Sequence, residues 1–180
     1  MKRIRIIGSF GSGKTTLARL ISEEADITYY QLDNIVWDRS EEVQKRFPET
    51  IRDGKLNQII NSSSWVIEGV HIKWTQESFN DADLIIILIP HVFLRDYRII
   101  NRFIKTRIGL EESNYKQTFR NLFRMIYAWN HNYDMDGVLK ITEPYADKRI
   151  FIKNSKDALN YIKQMMLERH EFEKVTCTAK

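Results

Sequence analysis

A glycine-rich stretch from Gly8 to Thr16 has the composition and spacing of a phosphate-binding loop. It meets the pattern G-x-x-x-x-G-K-[ST] and adds a second threonine. In this pattern, backbone N–H groups turn toward a phosphate chain, the lysine holds the terminal phosphates, and the first hydroxyl ligates Mg²⁺. The residues predicted to contact a nucleotide here are Gly8, Gly11, Ser12, Gly13, Lys14, Thr15 and Thr16.

The residues around this loop favour a phosphate site over a purely structural glycine turn. The β-branched run of Ile4, Ile6 and Ile7 predicts a strand that enters the loop. Leu17 and Ile21 recur at helical spacing after it, which predicts a helix starting near Gly13. A strand, a glycine loop and a helix in this order are the context that the pattern requires.

Two carboxylates are placed to act beside the loop. Residues 28–33 and 65–70 read as strands that carry Asp33 and Glu68 at or near their ends. In a parallel sheet such ends share one edge, so we expect both carboxylates near the glycine loop. Asp33 is a candidate for orienting or deprotonating an acceptor, or alternatively a turn or helix-cap residue with Asn34. Glu68 is a candidate for holding Mg²⁺, or alternatively a solvated strand-end charge. We assign no role to the nearby His71.

The remaining elements complete an alternation of strands and helices. Residues 40–62 read as helical with an interruption at Phe47 and Pro48, and residues 84–89 form an unbroken apolar strand. Trp37 and Phe47 are candidates for the wall of an acceptor pocket, although aromatic residues at such spacing are more often core. Residues 149–152 predict a last strand, and the helix after it carries Leu159, Ile162 and Met166.

Positive charge is concentrated in one segment of the chain. Between Arg95 and Arg124, eight basic and three acidic side chains give a net charge of +5, whereas the whole chain carries +4. Apolar residues recur at helical spacing through the segment, which predicts two amphipathic helices over the phosphate site. We call residues 95–130 the basic hairpin. Its arginines suit a phosphoryl group or a nucleic acid, and a solvated basic face is the alternative.

Composition bounds the remaining possibilities. At 180 residues with 43% apolar content, we expect one domain over residues 1–168 and a polar tail over residues 169–180. No apolar run approaches the length of a bilayer span, and a strand begins near the start of the sequence, so we expect a cytoplasmic protein without membrane association. The single Cys177 excludes an intrachain disulfide and a cysteine-based zinc site.

The segment from Asn154 to Asp157 differs from the guanine-reading N-K-x-D motif, because its lysine comes one place late. A GTPase interpretation is therefore rejected. Asn154 is retained among the predicted cofactor-binding residues.

The order of these features resembles the small P-loop kinases of the adenylate kinase type. Arg98 and Arg102 match the R-x-x-x-R segment that opens the lid in that superfamily. The resemblance implies a three-layer α/β P-loop NTPase fold with a five-stranded parallel sheet and a helical lid formed by the basic hairpin. It also implies that Arg98 stacks on adenine and that Arg102 contacts the phosphates.

Two segments, residues 30–37 and 65–71, are similar to the bacterial adenylate-kinase-related family named "DNA topology modulation protein" (FlaR-like). The similarity extends from the N-terminus to about residue 165. Such kinases often carry an aspartate at the end of the fourth strand, where this chain has Ile89, so the metal role falls on Glu68.

The leading hypothesis is an ATP- and Mg²⁺-dependent kinase for a small acceptor such as a nucleoside or nucleotide. Lys14, Asp33, Arg98 and Arg102 are the predicted catalytic residues, and Thr15 and Glu68 are the predicted metal ligands. The second hypothesis is a nucleotide-gated regulator that binds nucleic acid through the basic hairpin, with little or no kinase activity. A third is an ATPase or an inactive nucleotide binder.

Overall fold

The computed structural model describes residues 2–38, 45–111 and 118–178. The strands are β1 (Arg3–Gly8), β2 (Tyr29–Gln31), β3 (Trp37–Asp38), β4 (Lys45–Arg46), β5 (Trp65–Glu68), β6 (Leu84–Leu88) and β7 (Arg149–Ile152). The α-helices are α1 (Lys14–Ala25), α2 (Leu32–Val36), α3 (Glu49–Ile60), α4 (Gln76–Asn80), α5 (Val92–Arg107), α6 (Phe119–Arg124), α7 (Met135–Thr142) and α8 (Ser155–Thr178). A π-helical segment, Met125–His131, continues α6, and a 3₁₀ segment, Glu143–Lys148, follows α7.

Five of these strands form one parallel sheet in the order β2-β5-β1-β6-β7. The two central strands, β1 and β6, are rich in isoleucine and almost entirely buried, because helices cover both faces of the sheet. Gly8 pairs with Leu88, and Ile6 pairs with Glu68. The last residues of three neighbouring strands therefore meet at one edge, where the glycine loop begins.

The hydrophobic core has two parts, one on each face of the sheet. On one face, α1 and α8 pack on β1 through residues such as Leu17, Ile21 and Ile162. On the other face, α2, α3 and α7 pack through residues such as Leu56 and Val138. The predicted three-layer α/β fold with a five-stranded parallel sheet is confirmed.

Several predicted elements differ from the structure. β2 ends at Gln31, and Asp33 lies in the first turn of α2, because the apolar residues Leu32, Ile35 and Val36 recur at helical spacing and are buried. Lys45 and Arg46 form a short antiparallel strand with β3 rather than a helix, whereas residues 40–44 lie outside the described residues. The helix predicted to start at Pro48 is present as α3.

At the C-terminal end, α8 continues to Thr178 through the segment for which the sequence predicted a polar tail. The domain limit at residue 168 stays a prediction.

The basic hairpin consists of α5 packed against α6 and its π-helical continuation. The carboxylate of Asp96 joins them by accepting from Asn130 Nδ2 at 2.6 Å and lying 2.9 Å from His131 Nε2. Arg95 and Arg98 face the glycine loop, and the apolar stripe of α5 faces away from it: Tyr97 is 64% exposed. Lys116, which the sequence placed in the basic row of the second helix, lies outside the described residues.

Among the described residues, none of the helices combines the length and the apolar character that crossing a membrane requires.

Candidate functional site

The glycine loop connects β1 to α1 in a conformation that brings neighbouring backbone close to it. Gly11 has φ +71°, and a Cβ atom there would lie 2.6 Å from the carbonyl oxygen of Arg95. A Cβ atom on Gly13 would lie 2.9 Å from Ser155 Oγ. Gly13 is the N-cap residue of α1, and no side chain caps the first-turn N–H groups. These N–H groups, at the positive end of the helix dipole, suit a phosphate group.

Lys14 is buried at the start of α1 and folds back over the loop. Its Nζ donates a hydrogen bond to the carbonyl oxygen of Ser9 at 2.8 Å. Burial lowers the pKa of Lys14, while the carboxylates of Glu68 and Asp33 oppose this shift. Glu68 and Asp33 are thus both close enough to Lys14 to act on it electrostatically.

Thr15 and Glu68 are in direct contact. Thr15 Oγ1 donates a hydrogen bond to Glu68 Oε1 at 2.8 Å, and Glu68 is only 5% exposed at the end of β5. A hydroxyl and a carboxylate oxygen are the donors that Mg²⁺ prefers. Within the described ranges, no group of three or more His, Cys, Asp and Glu side chains is placed to hold a metal. The pair therefore fits an ion that takes its other ligands from phosphate and water.

Asp33 is positioned by α2 near a histidine to which the sequence gave no role. His71 Nε2 lies 3.4 Å from Asp33 Oδ1, and the His71 ring packs 5.5 Å from the ring of Trp74. The Arg52 guanidinium lies over the other part of this cluster, 4.4 Å from the Trp74 ring. The carboxylate, imidazole and indole together form a half-exposed surface beside Glu68.

The strand entering the loop carries a fully buried arginine, Arg5, which sequence reasoning overlooked. It donates hydrogen bonds to four carbonyl oxygens, those of Ile6, Ile67, Gly69 and His71, at 2.7 to 3.4 Å. Its guanidinium also lies 5.0 Å from the centre of the Phe79 ring. Burial lowers the pKa of Arg5 to about 10, although the charge of Glu68 opposes the shift. Arg5 thus ties the end of β5 and the following loop to β1.

The basic hairpin contacts the glycine loop directly. Arg98 Nη1 donates to the carbonyl oxygens of Gly11 and Ser12 at 3.2 and 3.1 Å. Arg95 Nη1 donates to Ser9 Oγ. The ring of Phe10 stacks on Trp129 with 5.1 Å between centroids.

Arg102 lies one turn beyond Arg98 on α5. It is close enough to Lys14 for its charge to lower the pKa of that lysine. It also lines a crevice between α5 and α6 together with Ile99 and Phe103. Arg98 therefore contacts the glycine loop, whereas Arg102 acts on Lys14 through its charge. The roles of both arginines toward a nucleotide stay predictions.

The remaining predicted contacts lie at the start of α1 and α8. Thr15 and Thr16 are exposed in the first turn of α1. Asn154 caps α8: its Oδ1 accepts from the Asp157 N–H at 2.9 Å, and its Nδ2 donates to Asp157 Oδ2 at 2.6 Å. The neighbouring Ser155 Oγ is 3.5 Å from the Gly13 carbonyl oxygen. The role of Asn154 toward a nucleotide stays a prediction.

Neither Arg95 nor Arg5 was predicted as a site residue, although the sequence places Arg95 on the basic side of its helix. Arg95 precedes Arg98 by three positions and Arg102 by seven, so all three lie on one face of a helix. Arg5 lies between Ile4 and Ile6 in a strand predicted to enter the core, and a charge is rarely buried there unless it is paired.

No protein-family model matches the sequence, and no curated protein matches it. Among solved structures, the fold is similar to shikimate kinase from Bacteroides thetaiotaomicron, with a TM-score of 0.53 and 14% identity over 92% of this chain and 98% of that chain. It is also similar to shikimate kinase from Acinetobacter baumannii in complex with shikimate, with a TM-score of 0.52 and 18% identity over 94% of each chain.

A third similar structure is an uncharacterized protein from Eubacterium ventriosum, with a TM-score of 0.50 and 18% identity over 93% of this chain and 99% of that chain. At these identities the comparisons establish the fold alone, which this chain shares with the two shikimate kinase structures.

Proposed function

We propose that this protein transfers a phosphoryl group from ATP to a small acceptor. The observation that carries the proposal is the contact between Thr15 and Glu68 at 2.8 Å, directly beside the buried Lys14. A loop that only shaped the backbone would not require a buried carboxylate against its first hydroxyl. That carboxylate, the lysine and the hydroxyl are the groups that a nucleotide with Mg²⁺ requires.

Each residue has a role that its position supports. Lys14 and the first-turn N–H groups of α1 hold the phosphates, and Thr15 and Glu68 hold Mg²⁺. The metal, when bound, neutralises charge on the phosphate oxygens. Arg98 contacts the same loop from α5, and Arg102 acts on Lys14 through its charge. In this proposal both arginines stabilise the negative charge of the transferred group.

Asp33 and His71 define the acceptor side of the proposed site. For an acceptor hydroxyl, Asp33 orients the hydroxyl group or accepts its proton. His71, whose Nε2 lies 3.4 Å from Asp33 Oδ1, holds the carboxylate in place. For an acceptor that is already an anion, Asp33 has a positional role only. Trp74 offers an apolar surface next to this pair. The similar shikimate kinase in complex with shikimate supports a small-molecule acceptor as a class.

The proposal is tested by screening nucleosides, nucleotides and small hydroxyl compounds for acceptor-stimulated ADP release. Asp33→Asn should lower the stimulated rate at least about 100-fold, because general base catalysis contributes that much, while ATP binding stays intact. Asp26→Asn, an exposed aspartate after α1, is the matched control and should change neither. ATP consumption that no acceptor stimulates would favour an ATPase and contradict the kinase.

The nucleic-acid hypothesis has weaker support from the contacts of the basic hairpin. Arg107 lies over the rings of Phe103 and Phe119, and Arg124 lies over Trp129, so these cations also serve packing inside the hairpin. The resemblance to the DNA topology modulation family stays a prediction. Binding of DNA or RNA that weakens steeply with salt and is lost in the Arg120→Ala, Arg124→Ala double variant would revive this hypothesis.

A further inference from the structure

The basic hairpin carries two rows of exposed apolar side chains, one on each of its helices. On α5, Arg95 and Arg98 contact the loop, and the row lies on the opposite side of the helix. On the second helix, Trp129 contacts Phe10 of the loop, and the row consists of exposed aromatic residues that precede Trp129 in the chain. We call these eight residues the outer face: Phe93, Tyr97, Ile100, Ile104, Ile108, Phe119, Phe123 and Tyr127.

The two rows adjoin each other along the hairpin. Phe119 packs 5.1 Å from Phe103, which directly precedes Ile104 of the first row. At the other end, His131 contacts Asp96, which directly precedes Tyr97. The outer face therefore spans two helices that pack against each other at both ends of the hairpin.

This surface is larger than a monomer normally leaves exposed. Its members are between 40% and 72% exposed, with Phe93 the most exposed and Ile100 the least. With roughly 150–250 Å² for each large side chain, the exposed part amounts to about 900 Å². The largest apolar patch on a typical monomer covers about 300–600 Å². A standard interface buries about 800 Å² on each partner.

The spacing within the face indicates a helical partner. Phe93, Tyr97, Ile100 and Ile104 follow alternating steps of four and three residues, which is the spacing of helices that pack side by side. A second copy of the chain supplies two such helices, and two hairpins packed face to face form a four-helix arrangement. In a dimer with a two-fold axis, both subunits use the same surface, so the outer face has to be complementary to itself.

Two of the charged groups next to the face have partners within the hairpin. Asp96 is held by Asn130 and His131, and Arg107 lies over Phe103 and Phe119. Asp96 and Arg107 therefore need no partner from outside the hairpin. We propose that the outer face is the interface of a homodimer, which holds α5 and its arginines in place over the phosphate loop.

Sedimentation equilibrium of the full chain at protomer concentrations from about 1 to 100 µM tests this proposal. The wild type should have about twice the chain mass of 21.5 kDa. Ile104→Glu and, on the other helix, Phe123→Glu should each weaken association at least about 100-fold, because a carboxylate would be buried without a partner. Ile51→Glu, on α3 with 46% exposure against 51% for Ile104, is the matched control and should remain a dimer.

Circular dichroism of each variant separates loss of association from loss of fold. A wild type that sediments as a monomer at about 100 µM overturns the proposal, as do folded Ile104→Glu and Phe123→Glu variants that both stay dimeric. Vesicles of phosphatidylcholine with phosphatidylserine, and a single-stranded DNA, are added to the monomeric species. A monomeric wild type that binds the vesicles or the DNA, together with an Ile104→Glu variant that does not, would assign the face to that partner. This result would overturn the dimer.

Discussion

At the scale of single residues, Thr15 and Glu68 carry the most information about chemistry. Their hydrogen bond of 2.8 Å joins the start of α1 to the end of β5, two elements that lie 53 positions apart in the chain. The carboxylate is buried beside Lys14, so its charge acts on the same phosphate site. A change that keeps its shape and removes its charge separates these two contributions.

We predict that Glu68→Gln raises the Mg²⁺ concentration needed for half-maximal ATP consumption by about tenfold or more. The amide oxygen still accepts from Thr15 Oγ1, so the fold is preserved while the ion loses a charged ligand. A Mg²⁺ titration of ATP consumption is the measurement, and Glu77→Gln in α4 is the exposed control. An unchanged Mg²⁺ requirement would remove Glu68 from the metal site.

At the same scale, the buried Arg5 is expected to stabilise the edge on which the site lies. In Arg5→Met, the carbonyl oxygens of Gly69 and His71 lose their donor, and the buried Glu68 loses a nearby positive charge. We predict a decrease of about 3 kcal/mol in the free energy of unfolding, as measured by urea titration. Arg19→Met, which loses only an exposed pair with Glu23, should cost about 0.5 kcal/mol or less. Equal stabilities of the two variants would show that Arg5 is dispensable.

At the scale of elements, the close contact between α5 and the glycine loop requires a glycine at position 11. Gly11 and Gly109 have nearly the same backbone conformation, with φ of +71° and +73°. A Cβ atom on Gly11 would meet the Arg95 carbonyl oxygen, whereas one on Gly109 would meet nothing within 4 Å. Alanine substitutions at the two glycines therefore separate the cost of backbone strain from the cost of close packing.

Gly109→Ala should lower the free energy of unfolding by about 1 kcal/mol, the cost of a left-handed residue with a side chain. Gly11→Ala should cost more and should also weaken ATP binding, because α5 has to move away from the loop. Urea titration and ATP binding by calorimetry measure both effects. Normal ATP binding by Gly11→Ala would mean that the approach of α5 is irrelevant to the site.

The sequence correctly predicted the strands and helices that have a clear local pattern of apolar residues. The isoleucine-rich strands β1 and β6 and the helix α1 are present close to where periodicity placed them, since their apolar residues are buried on a sheet covered by helices. Asp33 was misplaced at a strand end because a short run of apolar residues does not distinguish a strand from a helical turn. The ribbon of β3 and β4 escaped prediction because two-residue strands carry almost no periodicity.

The orientation of the hairpin depended on tertiary contacts that no local pattern contains. The apolar stripe of α5 was correctly spaced, but the residues that pack inward include Ile99 and Phe103, between the stripe and the arginines. The contacts that Arg5 and Arg95 make with other elements were likewise unpredicted, because those partners are more than 60 positions away. A sequence pattern identifies which residues can do chemistry, whereas tertiary packing determines what they touch.

At the scale of the whole molecule, the fold gathers groups from five elements onto one edge of the sheet. β1 and α1 supply the loop with Lys14 and Thr15, and β5 supplies Glu68. α2 supplies Asp33, and α5 supplies the arginines that contact the loop. We propose one account for the molecule, in which this edge binds a nucleotide and an acceptor side by side.

The central claim is that this edge binds the phosphates of a nucleotide together with Mg²⁺. Calorimetric titration of the wild type and of Lys14→Ala with ATP and Mg²⁺ tests it most directly, with the exposed Lys163→Ala as control. The wild type and the control should bind ATP alike, and Lys14→Ala should bind at least about tenfold more weakly, because a charge-assisted hydrogen bond is lost. Equal binding by the wild type and a folded Lys14→Ala variant would contradict the account.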